Sequence, residues 1–333
     1  MEPILRVQNL QVHFPTNDGV VRAVDDVSFA LRRGGTLGVV GESGSGKSMT
    51  ALAILRLIQP PGKIAGGEIW YAPGGAQGGQ TTRNLLEASD RGMRQIRGAE
   101  IAMIFQEPMS ALNPVLTIGD QIREGIEAHE VLSRREADNR TVEILKAVAI
   151  PSAGQRMKEY PHQLSGGLRQ RAMIAMALAP RPKLLIADEP TTALDVTIQA
   201  QILDLLVRLK EELHLSLLMI SHDLGVIAQI ADEVAVMYAG KIVELGPAGE
   251  IFGDPLHPYT EGLLKSIPRW TASGKASRRL ESIPGAVPDP RRLPPGCAFQ
   301  PRCKDDRGEA CGRAPIPLTT PQANRQVRCV KHV

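Results

Sequence analysis

The stretch GESGSGKS at residues 41–48 decides the fold of this 333-residue chain. An apolar run at residues 36–40 precedes it and predicts a buried strand, and an apolar pattern after Ser48 predicts a helix. The stretch fits G-x-x-x-x-G-K-S/T in the strand-to-helix context that a phosphate-binding loop requires. Glycines in such a loop let successive backbone N–H groups turn inward around phosphate oxygens, and the helix N-terminus adds positive potential. We therefore predict that this loop binds a nucleotide.

The side chains of the loop and its flanks have separate expected roles. Lys47 is expected to reach the β and γ phosphates, and the Ser48 hydroxyl is expected to ligate Mg²⁺. The predicted nucleotide-binding residues of this stretch are Gly41, Ser43, Gly44, Ser45, Gly46, Lys47, Ser48 and Met49.

The second half of such a site is an acidic residue that closes a buried strand, and KLLIADEP at residues 183–190 supplies it. Asp188 would emerge at the C-terminal end of that strand, the edge at which α/β sheets bind ligands. We expect Asp188 to hold Mg²⁺, directly or through water, and Glu189 to polarise the attacking water. The alternative is two acids that merely open a loop. Together the two motifs predict a P-loop ATPase or GTPase.

The remainder of residues 1–255 alternates strand-like and helix-like segments, which implies an α/β fold with a mainly parallel sheet. The clearest helix pattern lies at residues 197–213, with Asp195 as a plausible N-cap. Residues 116–164 break the alternation with helices at 118–128 and 134–148, so we expect a helical subdomain there. The predicted strands lie at residues 5–7, 21–29, 36–40, 101–105, 184–187, 215–220, 234–238 and 241–245.

Composition excludes several classes of protein. The chain is 43% hydrophobic and 23% charged, so it can bury a large core and does not read as disordered. No apolar run approaches the roughly 18 residues that a membrane-spanning helix needs. The opening residues MEPILR lack the basic and then apolar pattern of a signal peptide. We therefore expect a cytosolic protein that does not itself span a membrane.

Residues 256–333 differ in composition from the rest of the chain. They carry 14 Lys and Arg against 6 Asp and Glu, whereas residues 1–255 carry 25 against 30. They also hold 11 of the 25 prolines and all four cysteines, at the spacing C-x5-C-x7-C-x17-C. We place a domain boundary near residue 256 and expect a basic extension that is not mostly helix or sheet.

A third motif, LSGGLRQR at residues 164–171, narrows the class. Ser-Gly-Gly at the start of a predicted helix is a second anion-binding turn, although alone it reads as an ordinary N-cap with glycines. Lying 23 residues before Asp188, it resembles the signature segment of ABC-type ATPases. Leu168 departs from the family pattern, which has Gln there and gains a polar contact from it. Because Ser165, Gly166 and Gly167 are intact, we expect them still to contact nucleotide bound to a partner subunit.

Four further residues resemble family motifs in order and spacing. Gln106 in FQEP resembles the Q-loop glutamine, which touches Mg²⁺ and water, and Asp195 in TALD resembles the D-loop aspartate. His222 in SHD resembles the switch histidine that senses the γ-phosphate. Phe14 occupies the place of an aromatic ring under adenine, though it could also be an ordinary strand residue. The resemblance thus assigns Glu189, His222 and Gln106 to catalysis and Ser48, Gln106 and Asp188 to Mg²⁺.

The resemblance covers essentially the whole chain and implies its architecture. It implies an α/β P-loop NTPase domain at residues 1–255, with a RecA-like core and an antiparallel β subdomain. It also implies a helical subdomain at about residues 107–164 and an irregular C-terminal extension at residues 256–333. ATP and Mg²⁺ are the implied cofactors.

Three stretches resemble a subfamily, the ATPase subunits of bacterial di- and oligopeptide importers. They are EPMSALNP at 107–114, DVTIQAQ at 195–201 and HPYT at 257–260. The resemblance implies peripheral attachment at the cytoplasmic face of the inner membrane, with two permease subunits and an extracytoplasmic binding protein. Two different ATPases usually pair in that group, so a heterodimer is expected. Other members serve nickel, glutathione or glycosides, and these cargoes remain alternatives.

The four cysteines, Cys297, Cys303, Cys311 and Cys329, form one candidate metal site. Disulfides are unexpected in a reducing cytosol, and a structural zinc usually shows a C-x2-C pair that is absent here. Iron–sulfur clusters accept varied spacings, and the extension resembles that of importer ATPases with a 4Fe-4S cluster. Its positive charge would offset such an anionic centre, or could equally be a solvated surface. Zinc and free thiols remain alternatives.

Non-transport classes fit less well. An ABC ATPase that acts on ribosomes would normally carry two motif sets, and one is present here. A DNA-repair ABC ATPase would insert a long coiled coil before the signature, for which residues 107–164 are too few. The basic extension has one aromatic residue after Trp270, namely Phe299, so we expect no nucleic-acid partner.

Overall fold

The computed structural model describes residues 2–74, 82–106, 111–192, 194–266 and 282–333. The chain divides into two compact units, and each is described by itself. The first unit comprises residues up to Ile4, Leu31–Gly35 and Tyr71–Met219. The second comprises Leu5–Ala30, Thr36–Trp70 and Ile220–Val333.

Twelve strands lie in the described part of the chain, and the buried ones have the continuous apolar sequences predicted for them. They are β1 Pro3–Thr16, β2 Gly19–Arg32, β3 Thr36–Val40, β4 Lys63–Tyr71, β5 Arg83–Asn84, β6 Ile101–Ile104, β7 Leu184–Asp188, β8 Ser216–Ser221, β9 Glu233–Tyr238, β10 Lys241–Pro247, β11 Thr319–Gln322 and β12 Arg325–Val327.

The α-helices of the same ranges follow the predicted pattern closely. They are α1 Lys47–Ile54, α2 Asp90–Ile96, α3 Ile118–Glu127, α4 Arg134–Ala147, α5 Ala153–Arg156, α6 Gly166–Leu178, α7 Val196–Glu212, α8 Leu224–Ile230, α9 Ala248–Gly253, α10 Pro258–Lys265 and α11 Glu309–Gly312. None of them is long and apolar enough to cross a lipid bilayer.

The second unit contains the strand that leads into the phosphate-binding loop. β3 is buried at all five residues and pairs in parallel with β9, in register from Leu37 opposite Glu233 to Val40 opposite Val236. β10 turns back antiparallel to β9. Strands β1 and β2 are separated only by Asn17 and Asp18, so they form an antiparallel hairpin, as expected of a β subdomain. Parallel strands buried on both faces explain why this part of the sequence reads as uninterrupted apolar runs.

The first unit holds the strand that ends in acidic residues and the segment predicted to be a helical subdomain. β6 pairs in parallel with β7, from Ile101 opposite Leu184 to Ile104 opposite Ala187. Helix α3 packs on α4, and both pack on α6, which confirms the two helices predicted at 118–128 and 134–148. A capping box between Ser133 and Glu136 begins α4. The predicted start of the subdomain at residues 107–110 lies outside the described residues.

As predicted, the described part of the C-terminal extension is not mostly helix or sheet, but it contributes two short strands. Strand β12 adds to the edge of β10, with Val327 opposite Glu244, and β11 pairs with β12. Helix α10 begins at Pro258, where its missing N–H costs no hydrogen bond. The two strands are only four and three residues long; the edge of β10 supplies the hydrogen-bond partners of β12, and β12 supplies those of β11. Their pairing could not be predicted from the short segments alone.

A buried ion pair fastens this extension to β10. Glu244 is fully buried, and its carboxylate accepts hydrogen bonds from the Leu256 N–H at 2.8 Å and the His257 N–H at 2.9 Å. The same carboxylate pairs with the guanidinium of Arg325 at 2.9 Å, and Arg325 also donates to the Asp254 carbonyl at 2.6 Å. One carboxylate therefore holds both the beginning of the extension and its last strand.

We predict that Arg325→Met destabilises the chain strongly, because it leaves the Glu244 carboxylate buried without a counter-charge. Breaking a buried ion pair in this way costs about 3–5 kcal/mol in the free energy of unfolding. Urea unfolding of the full chain measures it. Arg313→Met is the matched control, since Arg313 pairs with Glu309 where both side chains are about three-quarters exposed, and it should leave stability unchanged. Equal stability of the two variants would contradict the role given to Glu244.

Candidate functional site

The loop at residues 41–46 joins β3 to α1 through backbone positions that need glycine. Gly41 has φ 153° and Gly46 has φ 101°, both in the region that L side chains rarely adopt. A Cβ on Gly41 would collide with the Met237 carbonyl, and one on Gly46 would collide with the Ala23 carbonyl. Glycine at both positions therefore allows the turn of the loop and also the close approach of neighbouring backbone.

Lys47 is the first residue of α1, and its side chain is buried inside the loop. Its ammonium group donates to the carbonyl of Gly41 at 2.8 Å and to that of Glu42 at 3.0 Å. A buried cation needs oxygen or anionic partners, because removal from water is costly. The loop thus gathers positive charge at its inner side, as a phosphate site requires.

The N-terminus of α1 adds to this potential. Its N-cap residue, Gly46, has no side chain with which to cap the helix. The buried Ser45 Oγ has no hydrogen-bond partner among the described residues. Ser43 and Gly44 are exposed at the tip, while Ser48 and Met49 are half-buried in the first turn of α1. Uncapped helix N–H groups are a common anion-binding arrangement.

In the first unit, two acidic residues stand at the end of β7, and two neighbours hydrogen-bond to the second of them. Asp188 ends the strand and is buried. Glu189 follows with φ 47°, a left-handed conformation that is strained for a residue with a Cβ. Its Oε2 accepts a hydrogen bond from Gln106 Nε2 at 3.1 Å and another from Thr192 Oγ1 at 2.9 Å. The structure therefore brings Gln106 and Glu189 together, and Thr192 is a contact that the sequence analysis did not identify.

The signature turn lies at the start of α6. Ser165 caps the helix by accepting the Leu168 N–H at 3.4 Å. Ser165 and Gly166 are exposed, and Gly167 is half-buried. A Cβ on Gly167 would stand 3.0 Å from Ile198 Cγ2, so glycine also fits tight packing there. The Ser-Gly-Gly turn is thus available to a partner molecule.

Asp195 caps the next helix of the same unit, as the sequence predicted. Its Oδ1 accepts the Ile198 N–H at 2.9 Å at the start of α7. Asp195 and the following Val196 are exposed, with 84% of Val196 accessible. An exposed valine beside a helix cap is a natural point for a protein contact.

His222 and Phe14 belong to the second unit. His222 is exposed directly after β8, before Asp223 caps α8 by accepting the Gly225 N–H at 2.8 Å. Phe14 is half-buried in β1, and its ring packs so closely on Gly62 that a Cβ there would collide with it. This contact is what an ordinary strand residue makes, so the adenine role of Phe14 stays a prediction.

The four cysteines converge in the extension. All of them carry free thiols, and together with His257 they line one small cavity. The Cys297 N–H donates to the Cys311 carbonyl at 2.8 Å, which brings the first and third cysteines together. Burial raises the pKa of the Cys297 thiol to about 11, so the unliganded thiol is protonated near neutral pH.

His257 supplies an independent observation at this cavity. Burial lowers its pKa to about 3, so the ring is neutral, and Nδ1 accepts the Tyr259 N–H at 3.0 Å. Nε2 must then carry the proton, yet it is buried with no hydrogen-bond partner among the described residues. The Arg328 backbone acts on the pKa of His257 in the opposite direction to burial, but it forms no hydrogen bond with Nε2. A buried donor without an acceptor is unfavourable, which suits an anionic group in the cavity.

The donor set therefore fits a metal site in its chemistry. Four thiols, once deprotonated, are the ligands that zinc and iron–sulfur clusters take. Their positions fit less closely: within the described ranges, no three His, Cys, Asp or Glu side chains are arranged to hold a metal ion.

Two residues that no sequence motif assigned to the site contact the phosphate-binding loop. The Tyr259 hydroxyl accepts the Glu42 N–H at 2.9 Å, and Arg302 forms an ion pair with the Glu42 carboxylate at 2.7 Å. The available signal was Glu42 itself, because an acidic residue inside a phosphate-binding loop needs a cationic partner.

Fold and site together define a P-loop NTPase: a glycine-rich loop with a buried lysine between strand and helix, and a buried strand that ends in Asp188 and Glu189. Two family models match this chain. One, described as ABC transporter, covers residues 24–192. The other, described as oligopeptide/dipeptide transporter, C-terminal region, covers residues 243–311. The chain belongs to the ABC transporter family, which confirms the resemblance; it is an ATPase, with ATP and Mg²⁺ as its substrate and cofactor.

Curated relatives resemble the chain over nearly its whole length. A protein of Brucella abortus (strain 2308), named as a peptide import ATP-binding protein, is 51% identical over 327 residues, which are 98% of this chain and 94% of the relative. One of Brucella ovis with the same naming is 51% identical over 334 residues, covering 99% and 97%.

Solved structures show the same fold. An ATP-binding cassette, MJ0796, solved as a dimer in a post-hydrolysis state with ADP and Pi, has a TM-score of 0.64 at 26% identity and covers 73% of this chain and 98% of its own. The cbiO1 protein of Clostridium perfringens, part of an ABC transporter complex, has a TM-score of 0.63 at 26% identity and covers 76% and 92%. The predicted fold class is thereby confirmed.

Proposed function

We propose that this chain is the ATP-hydrolysing subunit that powers a bacterial importer of di- or oligopeptides. The observation that carries the proposal is that one chain matches two family models, the ABC transporter model and the oligopeptide/dipeptide transporter C-terminal model. Relatives named for peptide import, at 51% identity over almost the full length, support the same cargo.

The proposed partners are a second ATPase subunit, two membrane-spanning permease subunits and an extracytoplasmic binding protein. The exposed turn at Ser165 and Gly166, and the exposed Asp195 and Val196, suit contact with the second ATPase. Apolar side chains stand exposed in the first unit at Phe105, Val115 and Tyr160, and such surfaces suit a protein contact. We assign these to the permease, which places the chain peripherally at the cytoplasmic face of the inner membrane.

For hydrolysis, we assign the phosphates to the loop at residues 41–48 and Mg²⁺ to Ser48, Gln106 and Asp188. When bound, Mg²⁺ neutralises charge that develops on the phosphate oxygens. Lys47 and the N-terminus of α1 supply the positive potential that binds and orients the phosphates. We assign His222 to contact with the γ-phosphate, and the partner's Ser-Gly-Gly turn to cover the nucleotide.

Glu189 is the proposed general base. Two hydrogen bonds to its Oε2, from Gln106 and Thr192, orient the carboxylate. Its strained backbone fixes where the side chain leaves the strand, and such strain is typical of functional positions. Gln106 therefore has a second role besides its assignment to Mg²⁺, as a positioning residue for Glu189.

We predict that Glu189→Gln lowers steady-state ATP hydrolysis by about 10²- to 10⁴-fold, the usual contribution of a positioned general base. ATP binding should be retained, because the loop at 41–48 is unchanged, and with ATP bound the chain should stay associated with its second ATPase subunit. Phosphate release and size-exclusion chromatography with ATP measure the two effects. Glu212→Gln, an exposed residue paired with Arg208, is the matched control. Unchanged hydrolysis in Glu189→Gln would remove Glu189 from this role.

The cargo is tested by reconstituting the chain with its permease subunits in lipid vesicles. We expect ATP hydrolysis to rise when the binding protein is loaded with di- or oligopeptides, and not when it is empty. Stimulation by nickel, glutathione or a glycoside instead would replace the peptide by one of those cargoes. Hydrolysis that never responds to any loaded binding protein would favour a non-transport ABC ATPase.

We also propose that Cys297, Cys303, Cys311 and Cys329 hold a 4Fe-4S cluster. Their convergence on one cavity supports this, as does the buried Nε2–H of His257, which could donate to a thiolate sulfur. The excess of Lys and Arg in the extension would offset the negative charge of the site.

We predict that the full chain purified without oxygen contains about four iron and four sulfide ions per molecule. Cys311→Ala should lose them, because it removes one of the four thiols that would ligate the cluster. Elemental analysis and visible absorbance measure the content, and Ser266→Ala, which changes an exposed hydroxyl outside the cavity, should retain it. A colourless protein with stoichiometric zinc would replace the cluster by zinc, and a metal-free protein would leave four free thiols.

A further inference from the structure

Two residues of the C-terminal extension hydrogen-bond to Glu42, the second residue of the phosphate-binding loop. The Glu42 carboxylate receives two parallel hydrogen bonds from Arg302, at 2.7 and 3.0 Å, and the Glu42 N–H donates to the Tyr259 hydroxyl at 2.9 Å. From within the loop, Lys47 donates to the Glu42 carbonyl at 3.0 Å. The N–H, the carbonyl and the carboxylate of one residue are therefore all held, two of them by residues more than 200 positions away in sequence.

The side chain of Arg302 is buried and held by several contacts. Its side chain is 5% exposed, and Nε donates to the Pro284 carbonyl at 2.9 Å. The guanidinium carbon lies 5.8 Å from the centre of the Tyr238 ring and 5.9 Å from that of Phe299. The paired Glu42 carboxylate raises the pKa of Arg302 further above its usual value, so the group is always charged. A planar guanidinium with fixed donors pairs bidentately with a carboxylate, which a lysine could not do.

Tyr259 is equally fixed. It is fully buried, and its ring packs against Tyr238 at 4.6 Å and against Phe299 at 5.3 Å between ring centres. Its hydroxyl therefore has one position, directed at the backbone of Glu42. An acceptor held in this way fixes the start of the loop without using a loop side chain.

The charge of Glu42 gives these contacts a consequence for nucleotide binding. A carboxylate within the loop repels the phosphates that the loop binds, and this repulsion is strong where water is partly excluded. Arg302 neutralises the charge of this carboxylate and holds it in one orientation. The Glu42 carbonyl is in turn one of the two oxygens that hold the Lys47 ammonium.

We propose that Arg302 and Tyr259 are positioning residues of the phosphate-binding loop, so that the extension sets the affinity of the ATPase for nucleotide. They act through Glu42: Tyr259 fixes its backbone, and Arg302 neutralises and orients its carboxylate. This assignment concerns ATP binding and does not depend on the cargo or on the occupancy of the cysteine site.

The test measures the Kd of MgADP for the full chain by isothermal titration calorimetry, since ADP carries phosphates and is not hydrolysed. Arg302→Met keeps packing against Tyr238 and Phe299 but removes the charge, and we expect its Kd to rise at least about fivefold. Tyr259→Phe keeps the ring and removes the hydroxyl, with an expected rise of about two- to tenfold. In the Arg302→Met background, Glu42→Gln should partly restore affinity, because it removes the unneutralised carboxylate.

Arg313→Met is the matched control, as an exposed arginine of the same extension, and should keep the Kd of the unchanged chain. Thermal unfolding without nucleotide separates folding from affinity, and Tyr259→Phe keeps the test decisive where Arg302→Met fails to fold. A Kd within twofold of the unchanged chain in the folded variants would overturn the proposal. So would an Arg302→Met effect that is the same with Glu42 and with Gln at position 42, because Arg302 would then act through another contact.

Discussion

The burial of the Lys47 ammonium inside a loop of six residues is the constraint on which the nucleotide site depends. The cation is held by the carbonyls of Gly41 and Glu42, and glycines at 41 and 46 let the loop backbone pass close to neighbouring carbonyls. The strand before the loop must be rigid, and β3, buried at every residue and paired in parallel with β9, provides that rigidity. The position of the Lys47 charge therefore depends both on the conformation of the loop glycines and on the packing of the sheet.

A second buried charge organises the extension in the same compact unit. The Glu244 carboxylate binds the backbone at Leu256 and His257 and the guanidinium of Arg325, so one side chain of β10 holds the beginning of the extension and its last strand. Between these points the chain carries three of the four cysteines, Tyr259 and Arg302, and Cys329 follows Arg325. The turn at Gln300–Arg302 lies between Cys297 and Cys303, so the residue that pairs with Glu42 is adjacent in sequence to the thiols. Any change at the cysteine cavity therefore acts close to the contact with the loop.

The sequence predicted the parts of this arrangement that rest on local pattern. The strand at 36–40 is found with the predicted bounds, α7 begins after its predicted cap Asp195, and α3 and α4 end within one residue of expectation. Strand β12, three residues long, has no period to detect, and it forms because β10 offers an open edge. The pairs of Glu42 with Arg302 and of Glu244 with Arg325 join residues 260 and 81 positions apart, which no single-sequence pattern specifies. The family assigned Gln106 to Mg²⁺, whereas its hydrogen bond to Glu189 required coordinates.

An acidic residue in a phosphate-binding loop is unfavourable in isolation, and its presence in this chain is explained by what it joins. Without Arg302, the Glu42 carboxylate would oppose the potential that Lys47 and the N-terminus of α1 create. With Arg302 the pair is neutral, and the loop keeps its positive potential while gaining a fixed attachment to the extension. A neutral residue at position 42 would remove the repulsion but also the attachment. The ion pair therefore makes the nucleotide affinity of the ATPase depend on a correctly folded extension, which links two segments that have otherwise separate chemistry.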